Sequence, residues 1–410
     1  MGGSARRRNL VIAGAGAAIV VLAAYDLVIW AQNYAADNFH NDFTFYYAAA
    51  RLGLTHGWSG LYDLKLQQEQ LDAIGSRITI AELARYISPP PLAWLVVPLS
   101  LLPYRVAYAL WSAILLLGLA LTWRLASPGS GRVRVLYLVA AVGWLPLVYG
   151  LQLGQPGLLV AAGVAGSYAL LRRERPLAAG ACLGVLVLKP QLAFLVPAAL
   201  LVTGRWKAFS AATVVVAVLA IFSMAALGPD GVATYMQRLN FASGVPVNQS
   251  QTLASLIGNL PVTRAVQALI ALWTLLLAYR LRRRGPELPM ALALVGGLAA
   301  APYVHYDDLL MLGLAGWLYL RSPLHRWGWA YALALAIAAE GFPIWGAGPI
   351  LIGEVGALAL LSLVSPLEAD HRNGEHHDAE GQHDAHLEGD RQNLAVDRES
   401  KPVDHRAGQT

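Results

Sequence analysis

The chain has 410 residues, of which 57% are apolar and 13% charged, with a mean hydropathy of +0.49; a soluble domain carries about 25% charge. The apolar residues come in long runs repeated along the chain, and only a bilayer solvates such runs. A water-soluble globule is excluded, and an all-α polytopic membrane protein is predicted. Cys182 is the single cysteine, which rules out an intrachain disulfide.

Arg6-Arg7-Arg8 followed by the apolar run Leu10 to Trp30 has the outline of a signal peptide. The run is long and no small-residue cleavage site follows it, so a retained first helix is expected. Short basic clusters then recur at Arg124, Arg132 and Arg134; Arg172, Arg173 and Arg175; Arg205 and Lys207; Arg280 and Arg282 to Arg284; and Arg321 and Arg326. Placing all of them in the cytoplasm requires an even number of crossings between successive clusters. One parsing satisfies this, with spans at 10–30, 92–123, 134–150, 157–171, 177–188, 190–203, 208–227, 262–281, 288–301, 306–320, 327–340 and 345–363. It predicts about 10–12 transmembrane helices, both termini inside and a plasma-membrane location. The span 92–123 is broken by Pro98 and Pro103. The short pair 177–188 and 190–203 reads either as a re-entrant hairpin or as a helix interrupted at Lys189-Pro190.

The outer face then carries 31–91, 151–156, Lys189, 228–261, 302–305 and the turn near Glu340. Residues 366–410 hold 11 acidic and 5 basic side chains and six histidines, with no apolar periodicity. They are expected to form a disordered acidic cytoplasmic tail after a membrane domain of residues 1–365. Metal binding by His376, His377, His383 and His386 is the alternative for that tail.

In the first outer loop, Tyr46, Tyr47, Ala50 and Leu54 share one helical face, and Leu64, Gln68, Leu71 and Ile74 repeat the spacing. Two amphipathic helices are predicted in the outer interface, with Trp58, Tyr46, Tyr47, Tyr62 and Tyr86 in the headgroup belt. Asp42, flanked by Phe39, His40 and Phe43, is either a general base with a raised pKa or the N-cap of a helix over 43–54.

Asp42-Phe43-x-x-Tyr46-Tyr47-x-Ala49-Ala50, Gly60-Leu61-Tyr62-Asp63 and Ser88-Pro89-Pro90-Pro91-Leu92 resemble glycosyltransferase family 87. So do Gly154-Gln155-Pro156-Gly157, Lys189-Pro190-Gln191, Asn248-Gln249-Ser250 and His305-Tyr306-Asp307, which follow in the family's order. Where the family often has a polar residue after Gln155, this chain has Pro156. The resemblance implies a GT-C-like architecture, an extracytoplasmic active site, and transfer of a hexosyl, foremost a mannosyl, residue with inversion. The donor would be a polyprenyl-phosphate sugar and the acceptor a lipid-linked or glycan hydroxyl. By the same resemblance Asp42 is the base.

Attack at an anomeric carbon needs a base by the acceptor and cationic groups by the leaving phosphate. Lys189 and His305 are the candidates for the donor phosphate. Their alternatives are a snorkelling lysine and an interfacial histidine beside an Asp307 helix cap. Tyr46, Gln155, Gln191, Asn248, Gln249 and Asp307 are the expected substrate contacts, the amides suiting sugar hydroxyls. No metal, cofactor or nucleic-acid partner is expected; membrane lipids are. A transporter or flippase of a polyprenyl- or glycan-linked substrate is the rival class, drawn from the intramembrane acids Asp26 and Glu354.

Overall fold

The computed structural model describes residues 2–36, 39–322 and 328–364, so the predicted tail lies outside the described residues. Among these, every regular element is helical. The chain opens with α1 (Gly2–Ala36), followed by α2 (Phe43–His56), α3 (Leu64–Ala73), α4 (Pro90–Ser100) and α5 (Tyr104–Ala126). Next come α6 (Gly131–Val142), α7 (Leu145–Leu153), α8 (Gly157–Leu171), α9 (Pro176–Cys182) and α10 (Leu195–Val202). The second half holds α11 (Trp206–Gly244), the single turns α12 (Pro246–Gln249) and α13 (Ala254–Ile257), α14 (Leu260–Arg280) and α15 (Glu287–Ala300). It ends with α16 (Leu310–Arg321), α17 (Gly328–Glu340), α18 (Phe342–Trp345) and α19 (Gly348–Ser362).

Four helices are long and apolar enough to cross a bilayer, in α1, α5, α11 and α14, and the α6–α7 pair makes a fifth if its 60° bend is one broken span. At 1.5 Å per residue, the 23 residues of α5 reach about 35 Å, past a hydrocarbon core of about 30 Å. These helices show lipid their apolar sides: Val214, Ile221 and Phe222 on α11 and Leu269, Leu272 and Leu276 on α14 are exposed. The other predicted spans appear as shorter apolar helices of 10–17 residues. Of the about 10–12 expected transmembrane helices, four or five are thus long and apolar enough to cross by themselves among the described residues. Proline and glycine cut the remaining apolar runs: Pro103 separates α4 from α5, and Gly143 precedes the bend into α7.

Two further expectations change. Tyr46, Tyr47, Tyr62 and Tyr86 are buried in the protein instead of lying in a headgroup belt. The reason is packing: α2 is covered by α3 and α4, and nearly every residue from Phe43 to Gly53 is buried. Along α3 and its C-cap, Leu71 of the predicted face is buried and Leu64, Gln68 and Ile74 are half-buried, while Gln67 and Gln70 are buried beside Leu71 and Glu69 and Asp72 face outward. Second, 228–261 is not an open loop. Gly228, at φ 65°, breaks α11 ahead of Pro229, and the chain then resumes helix as far as Gly244. That second half of α11 lays Tyr235 on Tyr62, ring centroids 4.4 Å apart, and lets Arg238 Nε donate to the Tyr62 carbonyl at 3.2 Å.

The bundle has two chemically distinct ends. At one, Arg172 pairs with Glu287 at 3.2 Å and Arg321 donates to the Ser127 carbonyl at 2.9 Å, which gathers three of the basic turns. The other end of α8, 15 residues away and about 22 Å along the axis, begins beside Gln155 and the remaining polar candidates.

Candidate active site

One face of α5 carries Tyr104, Tyr108, Trp111 and Leu115, all buried and spaced by three or four residues. It builds the mount for the site. Tyr108 donates to the Gln152 carbonyl at 2.6 Å and Trp111 Nε1 to the Gly154 carbonyl at 2.7 Å, gripping the turn between α7 and α8. Phe43 of α2 stacks on Tyr108 and Trp111, with centroids 5.7 and 5.6 Å apart. The Asp42 N–H donates to the Leu153 carbonyl at 2.8 Å, so the start of α2 is pinned to the end of α7.

That turn is dictated by its sequence. Gly154 takes a left-handed conformation, φ 73°, and a Cβ there would stand 2.9 Å from Phe43 Cβ. The Gln155 N–H then bonds back to the Gly150 carbonyl at 2.9 Å. Pro156 opens α8, where its missing N–H leaves no bond unmade. Gln155 is thus the one side chain presented between two helices.

Asp42 precedes the first residue of α2, yet its carboxylate makes no capping bond. Asn41 does that work, its Oδ1 accepting the Thr44 N–H at 3.1 Å. The Asp42 carboxylate instead accepts a hydrogen bond from Gln155 Nε2. The other end of the same amide, Oε1, accepts from Tyr46 Oη at 3.1 Å and from Lys189 Nζ at 3.0 Å. This fixes the amide's orientation, because the reverse would set NH₂ against the ammonium. Burial pushes the Asp42 carboxyl up to about 6, Asp307 adding to the rise while Lys189 and the Gln155 bond oppose it.

Lys189 lies at the break between two 3₁₀ turns, Leu183–Leu188 and Pro190–Leu192, where both sequence readings put an interruption. It is neither exposed nor alone. At 8% exposure its ammonium pairs with Asp307 Oδ2 at 2.7 Å and with Asp308 Oδ1, which rules out snorkelling. Burial alone would lower its pKa, but the two aspartates more than offset that and hold it above the ordinary lysine range. The ammonium thus donates to Asp307 and Gln155 and is ion-paired with Asp308 as well.

The 3₁₀ turn Tyr306–Leu309 brings in the carboxylates and packs on α7. Asp308, not Asp307, closes this turn, its Oδ2 accepting the His305 N–H at 2.9 Å. Asp308 is the member of the cluster that sequence reasoning left out of the site. Its signal is its place beside Asp307, and an ammonium lying between the two carboxylates touches both. Oδ1 of Asp307 has no hydrogen-bond partner although buried.

His305 stands one step further out. Asn248 Nδ2 donates to the Ala242 carbonyl at 2.8 Å, which turns Asn248 Oδ1 toward His305 Nε2 at 2.9 Å. That geometry requires the proton on Nε2. Burial drops the imidazole pKa to about 4, with Asp307 opposing the drop, so the ring is neutral at pH 7.

Seven of the nine predicted site residues therefore come together: Asp42, Tyr46, Gln155, Lys189, Asp307, His305 and Asn248. Gln191 is half-buried and takes no part in these bonds, and Gln249 folds back to donate to the Ser243 carbonyl at 2.5 Å. Among the described residues, no three His, Cys, Asp or Glu side chains are arranged to hold a metal ion.

Comparison with known proteins gives one match. The model of glycosyltransferase family 87 covers residues 86–312, more than half of the chain, and takes in Gln155, Lys189, Asn248, His305 and the two aspartates, though not Asp42. No curated protein and no solved structure matches. A membrane-helical chain carrying this cluster and this match belongs to glycosyltransferase family 87, and is a GT-C-type glycosyltransferase dependent on a polyprenyl-phosphate sugar, not a carrier.

Proposed function

We propose that the protein transfers a hexosyl residue, foremost mannosyl, with inversion, to a lipid-linked or glycan hydroxyl on the extracytoplasmic face. The observation that carries this reading is the Asp42 carboxylate: it sits at the start of a helix, is released from capping by Asn41, and is wired through Gln155 to Lys189. Asp42 takes the acceptor's proton as the acceptor oxygen forms its bond to the anomeric carbon. The bond from that carbon to the phosphate oxygen breaks, and the polyprenyl phosphate leaves with the electron pair. A base titrating near 6 is ionised at neutral pH yet basic enough to share the proton in the transition state.

Positive charge builds on the sugar ring during such a transfer. With Asp42, Asp307 and Asp308 set against the single cation Lys189, the cluster favours that charge. The donor's phosphate is met on the far side of Gln155 by Lys189 and His305. Because the ammonium is already held by Gln155, Asp307 and Asp308 and His305 faces Asn248, the phosphate takes over a partner of each. Tyr46, Asn248 and Asp307 act through the same network, while Gln191 and Gln249 are left to the substrate's more distant groups.

The basic turns stand at the opposite end of α8 from Gln155, which supports an extracytoplasmic site under the positive-inside rule. Purified protein supplied with polyprenyl-phosphate mannose and, separately, with polyprenyl-phosphate arabinose tests the reading against a panel of lipid-linked acceptors. A mannosylated product whose anomeric configuration is opposite to the donor's supports it. Arabinose transfer alone, or retained configuration, overturns the respective part.

A further inference from the structure

Tyr303 stands outside the network described so far, yet its ring meets His305. The chain leaves helix between Ala301 and His305, and its backbone is extended at both ends, with ψ 137° at Ala301 and 168° at His305. Residues two apart in extended chain share a side. Tyr303 and His305 accordingly lie together, while Val304 between them turns into the core at 2% exposure. Both ends of the segment are tied down. Gln267 Nε2 of α14 donates to the Ala301 carbonyl at 2.8 Å, and Asp308 Oδ2 accepts the His305 N–H at 2.9 Å. The two ring centroids are 4.6 Å apart, and Tyr303 Oη stands 3.4 Å from His305 Nδ1.

The roles within that contact follow from the other side of the ring. Asn248 Oδ1 at Nε2 requires the single proton of the neutral imidazole there, so Nδ1 carries a lone pair and the tyrosine hydroxyl is the donor. Burial holds that hydroxyl above the ordinary phenol range, Lys189 opposing the rise and Asp308, Asp307 and Asp42 adding to it, so the proton it donates is kept. A neutral imidazole has two tautomers, and the bond made by one nitrogen decides which is present. With the proton on Nδ1, Nε2 would turn a lone pair toward Asn248 and toward the oxygen of any phosphate arriving in its place. We propose that Tyr303 is the positioning residue for His305: its hydroxyl fixes the tautomer whose Nε2–H donates to the phosphate of the sugar donor. This rests on the proposed seat of that phosphate at Lys189 and His305.

The test is a double-mutant cycle in the full-length protein in detergent, with polyprenyl-phosphate mannose as donor and a phosphatidylinositol mannoside as acceptor. His305→Ala alone should raise the donor KM. A wild type that transfers nothing, or an unchanged donor KM in His305→Ala, overturns the proposed function at this point and the inference with it. Tyr303→Phe removes one oxygen and keeps the ring. It should raise the donor KM about threefold to tenfold, the loss of one ordinary hydrogen bond, with the acceptor KM and the melting temperature as in wild type. In the His305→Ala background the same change should alter the donor KM by less than twofold, because no ring is left to position. A donor KM within twofold of wild type in Tyr303→Phe overturns the proposal while leaving His305 its role. A rise just as large in the His305→Ala background also overturns it and makes Tyr303 a direct ligand of the phosphate. An equal rise in the acceptor KM overturns it as well, as a loosening of the whole site.

Discussion

Asn41 and Asp42 divide two tasks that the same position of a helix usually combines. The Asn41 amide accepts the Thr44 N–H at 3.1 Å and closes the first turn of α2, while the neighbouring carboxylate turns to Gln155. Their substitutions should separate accordingly. Asn41→Ala should cost about 1 kcal/mol of stability, the ordinary value of a helix cap. Asp42→Asn should keep the melting temperature and lower turnover by roughly 10²–10⁴, the usual share of a general base. Melting curves and donor turnover of the two purified variants check this; a fully active Asp42→Asn removes the base from the mechanism.

Transfer should depend on pH through the same carboxylate. With its pKa raised from 3.8 to about 6, the base is ionised only above that value, so turnover should rise as pH increases through about 6 and level off above 7. Stability should move the other way. A carboxyl that binds its proton more tightly folded than unfolded contributes stability fully below about 4, and that contribution is lost as pH climbs through about 6. Rate and melting temperature measured from pH 4.5 to 8 should show opposite slopes, and Asp42→Asn should flatten both.

Lys189→Ala leaves Asp307 and Asp308 buried without their cation, and breaking a buried pair in this way costs about 3–5 kcal/mol. Adding Asp308→Asn to Lys189→Ala should recover a good part of the lost melting temperature while transfer stays absent. If Lys189→Ala melts like wild type and only donor kinetics change, the lysine is a free phosphate ligand and not the partner of the aspartates.

Orientation is open to direct labelling. In a Cys182→Ala background, a cysteine at Ser243, an exposed position near the end of α11, should react with a membrane-impermeant maleimide added outside intact cells. A cysteine at Ser130, between the basic positions Arg124 and Arg132, should react only after the cells are opened. Reversed labelling would put the Asp42 end in the cytoplasm.

How far these features could be read from the sequence follows from the range of the forces involved. The start of α2 at Phe43 was legible, because capping acts within a few residues, although Asn41 and not Asp42 closes the turn; the period in α3 found Leu71 but not the neighbouring Gln67 and Gln70 that share its buried side. The break at Lys189-Pro190 was legible because it, too, is local. The partners of Lys189 were not: Asp307 lies 118 positions away, and a lysine with two remote acids reads locally like a lysine with none. Tyr46 and Tyr86 misled in the same way, since an aromatic residue beside an apolar run suits a membrane surface and a protein core equally well. Their burial depended on α4 covering α2, which no local pattern signals.

The gathering of arginines at one end of α8 and of aspartates near the other gives the molecule a charge asymmetry along the bundle. Each elementary charge carried across the membrane is worth about 2.3 kcal/mol per 100 mV. A potential that is negative inside favours the arginine-bearing end inward, so in an energised cell the field acts in the same sense as the proposed orientation. In a de-energised vesicle that contribution is gone, and orientation rests on the basic turns alone.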